Sequence, residues 1–455
     1  MRLFLILFLS INLFSQEGKY SHSDYFENYE GTKTCLECHQ KEAESFFYSQ
    51  HYQWKGLAPD LINYKGEKLG KINVINDFCT NPKGCWLGIF KSEKGVTIAK
   101  GCAVCHSGFG EIPEEKISQK QLENIDCLIC HASGHRRDVY EEGGKYVIKP
   151  ILWKNKEGLN SVAKRISLPK RDMCLRCHAG SGGGINWKRG DIEPILSNPP
   201  KDYDVHMGSG MECIDCHKGK DHRILGRGAD IVSSDRVGDK LECSSCHGKK
   251  MHPMDILNKH TERVACVTCH IPEFAREVET DMLRDWRKLV LNEENGKYEP
   301  EIEFQKNVKP VYKWWNGKTI TSSILGEPVK LLNGKIQIMV PDGSIEDQRS
   351  KIYPFKYHKA YMPIEEETNF MLPIRCVDAF TTGDILKAIN SGTEQYFNRK
   401  PKKFRWFETE RYMGIFHSIP PKEKALGCFD CHGKGGNFDF KSLGYKDDPL
   451  KKLLE

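Results

Sequence analysis

The sequence has little of what a self-sufficient globular core needs. Only 39% of its 455 residues are hydrophobic, a small store for a length that allows two to four domains. Neither sign of charge dominates, with 68 Lys and Arg against 62 Asp and Glu. That balance argues against a nucleic-acid binder, which concentrates positive charge on one face. After the first fifteen residues there is no run of about 18 apolar residues, so no membrane-spanning helix is expected in the mature chain. Low-complexity stretches are missing as well. Disorder is excluded from the other side, because aromatics reach 10%.

Cysteine is the residue in excess. Of the 19 cysteines, sixteen fall into one five-residue unit, Cys-x-x-Cys-His, which occurs eight times. The units are Cys35/Cys38/His39, Cys102/Cys105/His106, Cys127/Cys130/His131 and Cys174/Cys177/His178. They continue as Cys213/Cys216/His217, Cys243/Cys246/His247, Cys266/Cys269/His270 and Cys428/Cys431/His432. Two thiols three positions apart can add to the two vinyl groups of one haem, and the next residue then aims an imidazole at the iron. Zinc pairs do not need a His after every second Cys, and a disulfide scaffold does not repeat one local unit eight times. Eight covalently attached haems c are expected, each with its motif His as proximal ligand.

Such cofactor density explains the thin apolar content, because porphyrins themselves form much of the interior. The expected fold is mainly α with sparse β, a multihaem cytochrome c built around eight closely packed haems. Met1 to Ser15 reads as a secretory signal, with Arg2 before the apolar stretch Leu3 to Phe14. A periplasmic, exported protein that does not span the membrane is expected. Seven motifs crowd residues 16–275, and residues 276–455 hold a long motif-free interval and the eighth. In that second part, Asn316-Gly317 and Asn333-Gly334 signal hairpins in a small β excursion between Asn307 and Pro341. Residues 384–398 and 404–416 read as helices. The basic run Arg399 to Arg405 reads as a solvated or propionate-pairing face, with docking of a redox partner as the sharper alternative. The formal charge of +6 overstates the holoprotein, since eight haems add about sixteen propionates.

Nine histidines lie outside the motifs: His22, His51, His135, His206, His222, His252, His260, His358 and His417. An electron-transfer haem takes a second His, whereas a catalytic haem needs a vacant or displaceable position. Nine candidates for eight sites do not force a vacancy. His22, in the mature N-terminus, is expected to be spare.

The segments around these histidines resemble the octahaem tetrathionate reductase family of periplasmic cytochromes c. The resemblance is carried by Asn73 to Cys79, Asp204 to Met207, Asp221 to Ile224, Tyr353 to His358, Pro421 to Leu426 and Leu443 to Tyr445, and spans about residues 33–450. It implies distal ligands at His51, His206, His222, His252, His260, His358 and His417, with His135 a surface residue. It also implies one odd, catalytic haem, held by Cys102, Cys105 and His106, whose sixth ligand is a lysine amine. Lys188, behind the loop Gly180 to Gly184, matches that lysine, with Lys170 second. Arg189 stands where the family has a His. Cys79 matches a non-haem cysteine near the active haem, and a free thiolate there can exchange with a sulfur–sulfur bond. A Cys79–Cys85 disulfide is the competing expectation, and Cys376 is expected to be a buried thiol.

The family resemblance implies reduction of tetrathionate to thiosulfate, with Lys188, Arg189, Cys79 and His106 as catalytic residues. A nitrite- or hydroxylamine-converting octahaem enzyme is the enzymatic alternative. A pure electron conduit, with His135 or His22 completing eight bis-His haems, is the non-enzymatic one. A membrane quinol-linked or periplasmic cytochrome is the expected electron donor.

Overall fold

In the computed structural model, residues 21–78, 83–226, 235–236 and 238–451 are described. The signal region expected at Met1 to Ser15 and Cys79 lie outside them. Cys-x-x-Cys spans one helical turn, which puts both thiols on one side, and the motifs accordingly sit on short helices. They include Thr32–Phe47, Leu128–His131, Arg171–His178, Cys213–Cys216, Ser244–His247, Cys266–His270 and Cys428–Cys431. The second motif is the exception, in the single 3₁₀ turn Cys102–Val104. No helix of the described residues is long and apolar enough to cross a membrane.

The expectation of sparse β is corrected: helix covers 26% and strand 24% of the chain. An eight-stranded sheet fills much of residues 280–414. Its centre is the strand Lys351–Glu365, which pairs antiparallel with Phe404–Gly414 over eleven residues and parallel with Thr280–Asn292 at Lys359 to Tyr361. Lys297–Gln305 closes one edge, and Lys335–Pro341 extends the other beyond Phe404–Gly414. Phe404–Gly414 was expected to be helical. Its Phe, Trp, Thr and Tyr residues suit a pleated surface, and pairing on both sides decides the outcome over local period. The helix expected at 384–398 is present as Ile385–Phe397. It packs with Cys376–Thr382 on the sheet around Trp286, Ile338, Met362 and Ile364, all buried.

Of the two hairpin signals, Asn333-Gly334 makes one, between Leu331–Leu332 and Lys335–Pro341. Both turn residues have positive φ, 51° and 76°, as a two-residue hairpin of this hand demands. Asn316-Gly317 is a turn between strands that pair elsewhere. The basic run lies largely in solvent, as one of its readings expected, with its exposed side chains paired to carboxylates. Glu365, Glu366 and Glu367 lie across from it, and Arg399 grips Glu365 through both guanidinium nitrogens at 2.7 and 2.6 Å. Lys402 pairs with Glu367, and Lys403 and Arg405 with Glu366.

The two parts of the chain are stitched together. Val264 bridges to Ile352, Leu61 to Thr319 and Val74 to Ile324. Thr268, inside the seventh motif, donates to the Ile352 carbonyl at 2.8 Å. The sheet therefore backs directly onto the motif-bearing helices.

Candidate active site at the second motif

Two imidazoles that share an iron from opposite faces have ring centres about 6 Å apart, since each Fe–N bond takes about 2 Å and each ring centre lies about 1 Å farther out. Seven motif histidines have such a partner. The pairs are His39 with His22 at 6.0 Å, His131 with His222 at 6.4 Å, His178 with His51 at 6.3 Å and His217 with His417 at 6.0 Å. The others are His247 with His206 at 5.9 Å, His270 with His252 at 6.2 Å and His432 with His260 at 6.3 Å.

The rings are also prepared as ligands. Nδ1 is held at His131 by the Ser167 carbonyl, at His217 by the Leu225 carbonyl and at His260 by the Ile256 carbonyl. Ser45, Asp191 and Asp448 hold His222, His417 and His432 in the same way. An engaged Nδ1 leaves Nε2 for a metal. Burial, and then the neighbouring His51, push His178 down to about 4, so the ring is neutral, the form that offers a lone pair. These residues fit haem c.

Thiol contacts order the motifs in space. Cys35 touches Cys127, Cys105 touches Cys177, Cys174 touches Cys213 and Cys243 touches Cys266. Cys130 neighbours Cys174 and Cys177, Cys216 neighbours Cys246, and Cys269 neighbours Cys428 and Cys431. The first, third, fourth, fifth, sixth, seventh and eighth motifs follow one another in a line. The second motif branches from the fourth.

That branch carries the exception in ligation. His106 has no second histidine at pairing distance among the described residues. Its nearest ring is Trp86, at 4.9 Å. Burial, and then the charge of Lys71, push His106 down to about 4. The two histidines left over are engaged elsewhere. His135, expected at the surface, is 2% exposed and pairs with Asp126 at 2.9 Å. His358, expected to be a distal ligand, is fully buried between Asp77 and Asp281. His22, expected to be spare, faces His39. Strand pairing sets His358 between the Asp77 and Asp281 carboxyls, which engage both ring nitrogens, while the bridge Ser21–Arg165 and a hydrogen bond from the His22 amide to the Lys164 carbonyl fix the N-terminal segment beside the first motif.

Lys188 and His106 line one cavity of about 1960 Å³, which also reaches His39, His131, His178 and His217. Lys188 closes the glycine loop: its amide donates to the Ser181 carbonyl at 3.3 Å. A Cβ on Gly182, where φ is +94°, would stand 2.7 Å from Lys188 Cβ, so only glycine allows this approach. Lys170 is the residue before helix Arg171–His178. Arg189, expected to line the pocket as a catalytic cation, does line this cavity, with its guanidinium bound to Asp191 and the Gly414 carbonyl. It thereby supports the carboxylate that orients His417. Cys85 and Cys376 are both buried and line the same cavity.

Against the cavity, which Phe78, Arg284 and Arg411 line, lies a buried cluster of which the residue patterns singled out only His358, as a distal ligand. Asp77, Asp281, Arg284, Lys356, His358 and Arg411 are each at most 2% exposed. Lys356 and His358 alternate on one face of the central strand, Arg411 is the cross-strand partner of His358, and Asp281 and Arg284 come from Thr280–Asn292. Arg411 pairs with Asp77 at 2.6 Å and Arg284 with Asp281 at 2.8 Å. Burial alone would raise both carboxyls, but Arg411 and His358 for Asp77, and Arg284 and His358 for Asp281, hold them below the usual range. His358 lies between the two carboxyls, with Nδ1 2.7 Å from Asp77 and Nε2 3.1 Å from Asp281. Burial pushes Lys356 down to about 7 against the pull of Asp281. Phe78 stacks on His358 at 4.3 Å and has Arg284 4.7 Å from its ring centre. Besides the segments Asn73 to Cys79 and Tyr353 to His358, the sequence signal for this cluster was a charge inside an apolar run, Asp77 after Val74 and Ile75 and Lys356 after Phe355.

Comparisons with known proteins point to c-type cytochromes. A family model described as bacterial cytochrome c matches residues 282–435, and one for cytochrome c7 and related cytochromes c matches 200–271. An uncharacterised protein of Archaeoglobus fulgidus is 34% identical over 247 residues, which is 47% of this chain and 82% of that protein. A crystal structure of an octahaem cytochrome c from Shewanella oneidensis superposes with a TM-score of 0.74 at 29% identity, covering 93% of this chain and 95% of that one.

Proposed function

We propose that this chain, a multihaem c-type cytochrome, is a periplasmic multi-electron reductase with eight haems that cleaves tetrathionate to thiosulfate at its second motif. The observation that carries this reading is the solitary His106 among seven paired motif histidines. When bound, the haems supply stored electrons and, at His106, an iron with one exchangeable position. Cys102 and Cys105 attach that group, and Lys188 is its proposed sixth ligand. Lys71, whose charge already acts on His106, is the other amine on this wall.

The remaining chemistry falls to the chain. Tetrathionate takes up two electrons and no proton, its central sulfur–sulfur bond breaks, and a dianion becomes two dianions. Charge builds up during the reaction, so fixed cations favour it. The cluster beside Phe78 sets the Asp77 and Asp281 carboxylates against the Arg284 and Arg411 guanidiniums and the Lys356 amine, so basic groups outnumber acidic ones at this wall. Trp86 and Phe78 keep apolar surface against it and exclude water, which strengthens that field. Cys79, next in sequence to Phe78, is proposed as a thiolate able to exchange with the sulfur–sulfur bond.

The test is turnover of purified holoprotein with reduced viologen, offering tetrathionate, nitrite and hydroxylamine in parallel. Fast oxidation with two thiosulfates formed per tetrathionate is expected. Preference for nitrite or hydroxylamine would move the substrate and keep the centre. No turnover with any of the three would leave an electron conduit.

A further inference from the structure

The loop that carries Lys188 closes on itself through the Asn186 amide to the Ala179 carbonyl at 2.7 Å and the Lys188 amide to the Ser181 carbonyl at 3.3 Å. Gly180, Gly182, Gly183 and Gly184 give it four residues without side chains to pack, and glycine is the residue with most backbone freedom to lose. Two buried basic side chains tie it down from outside. Lys356 Nζ donates to the Trp187 carbonyl at 2.8 Å, the Lys188 carbonyl at 3.1 Å and the Thr280 hydroxyl at 2.6 Å. An ammonium has three N–H groups, and all three are used. Thr280 in turn donates to the Asn186 carbonyl at 2.7 Å. At the other end of the loop, Arg284 donates to the Gly182 carbonyl at 3.3 Å and to the Phe78 carbonyl at 2.8 Å.

We propose that Lys356 is a positioning residue for the sixth ligand of the His106 haem, fixing the two consecutive carbonyls that set the direction of the Lys188 side chain. Capture of successive carbonyls fixes both peptide planes flanking Lys188, and hence its Cα–Cβ bond. Arg284 ties the opposite end of the loop to the segment entering Cys79, so both walls hang on one cluster. A fully buried amine is a poor choice for filling space, since a methionine of similar length packs without desolvating a charge. Its three hydrogen bonds give it a reason to be there. The inference rests on Lys188 being the ligand.

The experiment compares Lys188→Met, Lys356→Met and Lys356→Gln holoproteins by near-infrared magnetic circular dichroism, which separates bis-imidazole from imidazole–amine ligation. Lys188→Met is expected to abolish the imidazole–amine band. Lys356→Met is expected to lower the ratio of amine-ligated to unligated haem roughly tenfold, the scale of a lost charged hydrogen bond. Lys356→Gln, which keeps N–H donors, is expected to retain most of the band, and the bis-imidazole bands are expected to stay unchanged in all three. An unaltered amine band in Lys356→Met, with loss in Lys188→Met, overturns the positioning role alone. An unaltered band in Lys188→Met overturns Lys188 as the ligand and the positioning role with it. Should Lys356→Met fail to load haem, Thr280→Val carries the same expectation of a weakened band, and an unchanged one overturns the inference.

Discussion

At the scale of single residues, His22 and His358 exchange the roles expected of them. Each is one imidazole in a chain of 17 histidines, and nothing in its immediate neighbours marks the difference. His358 sits in a strand and is enclosed by two carboxylates, which engage both ring nitrogens. His22 is held beside His39 by backbone contacts to residues 164 and 165. The expected outcome is that His22→Ala converts one low-spin haem to a high-spin one, counted by magnetic circular dichroism. His358→Ala is expected to leave the bis-imidazole count unchanged, and a lost bis-imidazole haem in that variant would return His358 to the ligand set. By contrast, the attaching cysteines and proximal histidines were legible residue by residue, because their chemistry is complete within five positions.

Among the elements, the strand Lys351–Glu365 organises most of what the sequence left unread. It pairs with three other strands, carries Lys356 and His358 on its buried face, and ends in the carboxylate that neutralises the basic run. Glu365 accepts from Arg399, the Lys402 amide and Thr368, and these contacts, Arg399 first, lower it from 4.5 to about 2. A depressed carboxylate contributes stability that is complete above its unfolded value and is lost as pH falls through its folded one. Glu365→Gln is therefore expected to cost about 2 kcal/mol at pH 7, as for a lost charged hydrogen bond. In denaturant titrations the gap to the parent protein should shrink between pH 4.5 and about 2. A gap that is constant with pH would assign the effect to packing. The helix Ile385–Phe397 was readable from its period, whereas Phe404–Gly414 was not, because its pairing partners lie far away in sequence.

For the whole molecule, the arrangement is a line of motifs with one side branch, backed by a sheet that supplies cations to the branch. A field of that sign distinguishes substrates by charge. With tetrathionate, a dianion, kcat/KM is expected to fall roughly threefold or more between about 0.01 and 0.5 M salt, as steering by charge is screened. With hydroxylamine, which is neutral at pH 7, it should hardly move. Equal salt dependence for both would remove the cation-lined pocket from the proposal. The sequence by itself determined the covalent chemistry, haem c at Cys-x-x-Cys-His motifs, since attachment needs only neighbouring residues. Only the tertiary structure decided which imidazole faces which motif, that His106 faces none, and that six buried ionisable residues gather against its cavity. Those are distances between segments remote in sequence, such as His217 and His417, and spacing along a chain carries no record of them.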